Sequence, residues 1–228
     1  MTIEYIKKYF IIWWVPIAFH LFAIGIFFLG ITFRYDWIIT LFLFVFLINI
    51  LGNIISSIIQ FARKKWHITL LQLGIAGGLF IFTSLIFTYA PPDYYGAHKE
   101  IPIGIEIYDT PEKTTLPINF ETHNLVISGW GGNYSYYTNY QPSEKGCFHI
   151  KAYEITSNDR LSSYEITNNS KIEVNQLGNE FHNGSFTIYE GDWGDKYGSR
   201  IELWFQPLMG KNEYKITERN FIVEGWMR

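Results

Sequence analysis

The acidic turn at residues 189–195, which reads Tyr-Glu-Gly-Asp-Trp-Gly-Asp, contains the most ligand-like side chains in the sequence. Its three carboxylates, Glu190, Asp192 and Asp195, are hard oxygen ligands of the kind that Ca²⁺ binds in glycine-containing loops. Their spacing differs from that of an EF-hand loop, and Asp-Gly segments commonly form plain turns between strands. Ca²⁺ binding is therefore one candidate role of this turn, and a simple connection is the other. The sequence indicates no cofactor.

A second candidate for chemistry is the pair Cys147 and His149, which would point to the same face of a strand. Such a pair could supply a nucleophile and a base, or it could bind zinc with two of the residues His98, His123 and His182. The spacing of the histidines does not require them to converge. The sequence also lacks the G-x-S-x-G, H-E-x-x-H and phosphate-loop motifs. We therefore expect a protein that is not an enzyme, with a hydrolase built on paired carboxylates as the remaining enzymatic alternative.

A stretch dense in tyrosine, asparagine and glycine, residues 130–140, points to binding instead. Its sequence, Trp-Gly-Gly-Asn-Tyr-Ser-Tyr-Tyr-Thr-Asn-Tyr, is typical of a loop. Rigid amphipathic rings beside small polar groups are characteristic of recognition surfaces. The alternative is that the tyrosines fill an edge strand or lie on a bilayer surface. The predicted binding residues are Trp130, Tyr134, Tyr136, Tyr137, Tyr140 and Trp193.

Alternation of apolar and polar residues with period two predicts the elements that carry these side chains. The run at 103–108 has isoleucine at every second position, and similar runs occur at 148–153, 201–205 and 221–223. Clusters of Gly, Asn, Asp and Ser separate the runs. About eight short strands spaced in this way predict an antiparallel β-sandwich or open barrel, and no run of ten residues makes a convincing amphipathic helix.

The first part of the chain has a different pattern, with three long apolar segments at about 10–33, 37–61 and 68–90. The last of these has no charged residue, and at 1.5 Å per residue it is long enough to cross a hydrocarbon core of about 30 Å. The first is too long for a secretory signal, and Arg-Tyr-Asp-Trp follows it in place of a small-residue cleavage site. Three transmembrane helices are therefore predicted.

These patterns predict three parts: a membrane region at 1–90, a proline-containing neck at 91–102, and a β domain at 103–228. Positive charges flank the first segment at Lys7 and Lys8 and follow the second in the Arg-Lys-Lys loop, whereas Arg34 stands alone in the other loop. The positive-inside rule then places the amino terminus in the cytoplasm and the β domain outside it. Because the chain has a single cysteine, we expect a bacterial cytoplasmic (inner) membrane.

Polar residues form a stripe on the second predicted helix. Their spacings of 4, 3, 1 and 3 residues place them on one helix face, and they comprise Asn49, Asn53, Ser56, Ser57 and Gln60. One interpretation is a polar path through the membrane, since polar groups there are often functional. The other is hydrogen bonding between helices. The sequence alone leaves both open.

The predicted partners are the lipid bilayer and a protein or glycan outside the cytoplasm. Residues 91–228 hold 12 basic and 19 acidic side chains, which argues against nucleic acid because phosphates are bound by basic patches. The leading hypothesis is a membrane-anchored recognition protein. One specific form of it is an immunity protein against a toxin that acts in the cell envelope. The alternative is an accessory subunit of a larger membrane complex.

Overall fold

The computed structural model contains two compact units, Met1–Pro92 and Asp93–Met227. The residues that it describes are 2–89, 91–114, 118, 120, 124–178, 181–208 and 210–226.

The first unit is helical, with α1 at Thr2–Ile11, α2 at Val15–Phe33, α3 at Asp36–Ala62 and α4 at Trp66–Tyr89. The last three are long and apolar enough to cross a membrane. Their outer surfaces expose large apolar side chains, among them Phe22, Phe44, Ile58 and Phe82. A continuous apolar surface of this kind is unfavourable in water and suited to lipid. The prediction of a membrane-type helical region followed by a β domain is confirmed at this level.

The first predicted span, 10–33, is divided in the structure because α1 ends at Ile11 and α2 begins at Val15. The cause is Pro16, which lies in the first turn of α2. A continuous helix would require a hydrogen bond from residue 16 to the carbonyl of Ile12, and proline has no N–H to make it. In the first turn of a new helix no intrahelical N–H bond is needed, so the helix is interrupted before Pro16.

Three residues of the polar stripe, Asn49, Ser56 and Gln60, face α1, whose last carbonyls have no partner inside their own helix. Gln60 Nε2 donates to the carbonyl of Ile11 at 2.6 Å, and Ser56 Oγ donates to that of Phe10 at 3.0 Å. At the amino-terminal end of the stripe, Tyr9 Oη donates to Asn49 Oδ1 at 2.6 Å. These three bonds explain much of the stripe as an internal cap that holds α1 against α3.

The second unit is an antiparallel sheet domain. Its described strands are β1 Val126–Trp130, β2 Asn133–Thr138, β3 Gly146–Glu154, β4 Arg160–Leu161, β5 Ile172–Val174, β6 His182–Thr187, β7 Tyr197–Pro207 and β8 Tyr214–Val223. One sheet has the order β1-β2-β6. The other has the order β4-β3-β7-β8, and β5 also pairs with β3.

Both sheets supply side chains to one hydrophobic core, as period-two alternation predicts. Buried residues occur at every second position along the central strands, for example Phe148, Ile150 and Ala152 on β3. Facing residues from the other strands complete the core: Ile127, Tyr134, Tyr136, Phe186, Ile201, Leu203, Phe205, Phe221 and Val223.

Three sequence expectations differ from the structure of this unit. The run at 103–108 does not form a regular strand, since it contributes only a bridge from Tyr108 to Phe221 and leaves Ile103 fully exposed. A seven-residue helix, α5 at Ser163–Asn169, includes the first two residues of the cluster Asn168-Asn169-Ser170, which was expected to form a turn. The expected neck, 91–102, is not simply extended, because a turn forms at 95–98.

The turn at 95–98 packs on the β domain around a buried carboxylate, Glu154. Lys99 Nζ lies 3.2 Å from Glu154 Oε2, and the N–H groups of Thr156 and Ser157 donate to the same carboxylate at 2.9 and 2.7 Å. Burial by itself raises the pKa of Glu154, but the hydrogen bonds from Ser157 and Thr156 outweigh it and lower the pKa from 4.5 to about 2. Residues 93–99 thus belong structurally to the β domain.

Candidate functional site

Residues 130–140, predicted as a loop, form the turn of a β-hairpin and its second strand. Trp130 pairs with Asn133 across the two-residue turn Gly131-Gly132. Both glycines have positive φ angles, 57° and 80°. These are the angles of a type I′ turn, which suits the twist of paired strands and strongly favours glycine. The hairpin therefore holds Trp130 at the end of a regular strand.

The hairpin turn brings together the two predicted tryptophans, Trp130 and Trp193. Their ring centroids are 5.7 Å apart at an interplanar angle of 51°. Trp130 is 59% exposed and Trp193 is 46% exposed. A Cβ atom at Gly131 would lie 3.0 Å from Trp193 Nε1, so the absence of a side chain there lets the second ring pack over the turn. Two adjacent indoles left open to solvent are a typical anchor for a partner.

Glu224 holds the two turns that carry these tryptophans. Its Oε1 accepts a hydrogen bond from Gly131 N at 2.7 Å, and its Oε2 accepts one from Gly194 N at 2.9 Å. The main chain of Glu224 is itself fixed by Tyr134, whose hydroxyl donates to the carbonyl at 3.0 Å and accepts from the N–H at 2.8 Å. One carboxylate therefore bridges the β1–β2 turn and the acidic turn, and the tryptophan pair is preorganised.

Two clefts border Trp130, and with the tryptophan pair they form a surface that we call the Trp cleft. The larger cleft, about 510 Å³, is lined in part by Asp109, Glu112, Glu224 and Lys196. The smaller, about 330 Å³, is lined by both indoles and shares Glu112 with the first. Three carboxylates and one ammonium give this surface a net negative charge, which favours a cationic ligand.

Of the predicted tyrosines, Tyr134 is among the residues that line the larger cleft, whereas Tyr136 and Tyr140 are not. Tyr134 and Tyr136 are 3% and 0% exposed and belong to the core. Burial raises the pKa of both phenols above the ordinary range. Tyr140 packs edge-on against Phe148. The structure thus places these three in supporting roles, and only Trp130 and Trp193 lie together at the surface.

Tyr137 lies at the far end of the outer face of β1-β2-β6, on the same face as Trp130. Along this face Tyr137 pairs with Asn183, and Ser135 pairs with Ser185. Next to Trp130, Thr187 Oγ1 donates to Asn133 Oδ1 at 2.9 Å. At about 3.3 Å per residue the face extends roughly 13 Å from Trp130 to Tyr137. It offers small amide and hydroxyl groups beside the Trp cleft.

The three carboxylates of the acidic turn have separate surroundings in the structure. Glu190 accepts hydrogen bonds from the N–H and the hydroxyl of Ser162 at 2.7 and 2.6 Å. Asp192 Oδ2 accepts one from the N–H of Asp93 at 3.2 Å, and Asp195 is buried. Across the described part of the chain, no group of three or more His, Cys, Asp or Glu side chains could hold a metal ion. Through these bonds the turn connects to the chain at Asp93 and at Ser162.

Cys147 and His149 also have separate surroundings. His149 Nε2 lies 3.1 Å from Glu213 Oε2, whereas Cys147 Sγ contacts the carbonyl of Phe148 at 3.6 Å. Burial raises the pKa of the Cys147 thiol, which disfavours the reactive thiolate. The ring of His182 is buried 5.0 Å from that of Phe148, at an interplanar angle of 52°. His123, another zinc candidate, lies outside the described residues.

The residues that the sequence did not reveal are the acidic ones, namely Asp109, Glu112 and Glu224. Asp109 and Glu112 join the site from one segment and Glu224 from another more than 100 residues away, and the bridging role of Glu224 has no local motif. A comparison with known protein families and a search of curated proteins gave no match to this chain.

Proposed function

We propose that this protein is a membrane-anchored, non-enzymatic recognition protein that binds a protein or glycan partner through the Trp cleft. The observation that carries the proposal is the exposed pair Trp130 and Trp193, held rigidly by Glu224. Exposed indoles bury large apolar area at little entropic cost on binding. A β-sandwich arrangement of the two sheets, which supply one core, would provide the rigid support.

The charges around the tryptophans favour a protein partner that presents lysine or arginine. Glu112 and Asp109 are exposed beside Trp130, and indole faces attract cations as well. The whole segment 91–228 is acidic too, with 19 acidic against 12 basic side chains. An immunity protein that neutralises a basic toxin in the envelope is one specific form of this proposal.

In the proposed layout, α2, α3 and α4 cross the cytoplasmic membrane and keep the Trp cleft on its outer side. The support is the loop charge, because Lys7, Lys8 and the Arg-Lys-Lys loop would lie on the cytoplasmic side. Tethering in this way confines recognition to partners that reach the membrane surface.

The test is site-specific photocrosslinking in intact cells with the full chain. A photoreactive amino acid replaces Trp130 in one variant and Tyr164 in the other, because Tyr164 is also an exposed aromatic residue and lies on α5. We expect a discrete crosslinked partner from position 130 and none from position 164. The same crosslinks from both positions, or none from position 130, would contradict the proposal.

The salt dependence of capture separates the two partner classes. A basic protein segment loses affinity as salt screens Asp109 and Glu112. A neutral glycan stacked on the indoles would bind almost independently of salt.

A further inference from the structure

A cavity of about 180 Å³ lies among α2, α3 and α4, within the helical unit. Two of its lining residues are polar, His20 from α2 and Asn53 from α3. The others are apolar or glycine: Ile50, Ile54, Leu73, Ala76, Gly77 and Phe80. The cavity is thus an apolar space with polar groups from two helices.

The polar groups in this cavity lack partners of their own. His20 is 1% exposed, and neither of its ring nitrogens has a hydrogen-bond partner. Asn53 donates from Nδ2 to the carbonyl of Asn49 at 3.1 Å, which leaves its buried Oδ1 unpaired. The imidazole is held edge-on against Phe46, with centroids 5.0 Å apart. Unpaired polar groups are costly in hydrocarbon, so this arrangement suits a ligand that supplies the missing bonds.

The available atoms specify the chemistry of that ligand. A neutral imidazole offers one donor and one acceptor, and Asn53 Oδ1 offers only an acceptor. A hydroxyl group matches both, because it can donate to Asn53 while its oxygen accepts from His20. A ketone or quinone oxygen accepts only and would leave Asn53 unpaired. A phosphate group lacks a counter-charge, since none of the eight described lining residues is Lys or Arg.

The mouth of the cavity determines where the ligand comes from. Ile54, Leu73 and Phe80 line the cavity and are also nearly half exposed on the outer surface of the helices. In a membrane this surface contacts lipid chains. We propose that the cavity binds the hydroxyl end of a long-chain alcohol that enters laterally from the bilayer. This site is independent of the Trp cleft.

The first test uses a matched pair of glycine variants of the full chain in lipid nanodiscs. Gly77 lines the cavity and Gly74 does not, yet a Cβ atom added to either glycine would have no neighbouring atom within 4 Å. Leucine should therefore fit at both positions without a clash, and it favours a helix more than glycine does. A diazirine-bearing long-chain alcohol is the probe, and the same alcohol without the diazirine is the competitor.

We expect saturable labelling of the wild type, a loss of at least tenfold in Gly77→Leu, and wild-type labelling in Gly74→Leu. Labelling that does not saturate, as in a cavity filled by water alone, would overturn the proposal. Equal labelling of the two leucine variants would do so as well.

The second test addresses the hydroxyl group by comparing two probes, first in the wild-type protein and then in one variant. The matched ketone probe should label the wild type roughly tenfold less than the alcohol, as the loss of one hydrogen bond to a buried acceptor implies. In Asn53→Leu the advantage of the alcohol should disappear. Equal labelling by both probes in the wild type would refute the assignment of a hydroxyl ligand, whatever the stability of the variant.

Discussion

Replacing Glu224 with alanine removes the bridge between the two turns that carry the tryptophans. Two hydrogen bonds to a carboxylate are lost, from Gly131 N at 2.7 Å and from Gly194 N at 2.9 Å. Gly131 is buried, so its N–H is left unpaired at a cost of about 1–3 kcal/mol. Gly194 is exposed and can bond to water instead. We therefore expect a total loss of about 2–4 kcal/mol, or roughly 6–15 °C in the Tm of the β domain.

The assay combines thermal unfolding with ¹⁹F NMR of 5-fluorotryptophan. In Glu224→Ala the resonances of Trp130 and Trp193 should move towards solvent-exposed values, while that of Trp204 stays in place. Glu218→Ala is the control, since Glu218 lies on β8 and pairs with Lys215 at the surface. Such surface pairs contribute only about 0–1 kcal/mol. An unchanged Tm with unchanged tryptophan resonances in Glu224→Ala would refute the bridging role.

Three further predictions concern the layout, the buried carboxylate and the start of the β domain. A reporter that is active only in the cytoplasm should be active when fused after Lys65 and silent when fused at the carboxy terminus; the reverse result would invert the proposed topology. Because the pKa of Glu154 is depressed to about 2 in the folded state, its stabilising effect is present above pH 4.5 and is lost as the pH falls towards 2; melting curves should show this decline for the wild type and a flatter one for Glu154→Gln, and parallel curves would contradict it. A fragment that begins at Asp93 should melt cooperatively, and one that begins at Ile103 should be less stable by about 2 kcal/mol or more because it lacks the buried Tyr94; equal Tm values would show that residues 93–102 add nothing.

The sequence predicts the membrane-type helices well because long uncharged segments have few alternative structures. The 37–61 and 68–90 segments match α3 and α4 to within two residues at each end. The break before Pro16 was missed because a proline near a predicted helix start fits either a continuing helix or a new one. The partner of the polar stripe was also hidden, since a spacing pattern shows that residues share a face without showing what they contact.

In the β domain, the prediction of a loop at 130–140 relied on composition and overlooked the period-two alternation of residues 133–138. Residues 133–138 alternate between outward and buried positions, with Tyr134 and Tyr136 in the core. That period-two signal, together with Gly131-Gly132, was present in the sequence and predicts a hairpin. The contact between Trp130 and Trp193 could not be predicted from the sequence, because the two residues are far apart in the chain and no local pattern shows which turns touch.

The most direct test of the central claim compares partner capture with thermal stability in single variants of the full chain. Trp130→Ala and Trp193→Ala remove exposed rings and should leave the Tm nearly unchanged. If the Trp cleft is the recognition site, each should weaken capture of the crosslinked partner by about thirtyfold, the loss of roughly 2 kcal/mol expected for an interface anchor. Tyr136→Ala should instead lower the Tm, since it removes a buried ring from the core. Undiminished capture by both tryptophan variants, with normal melting, would contradict recognition through the Trp cleft.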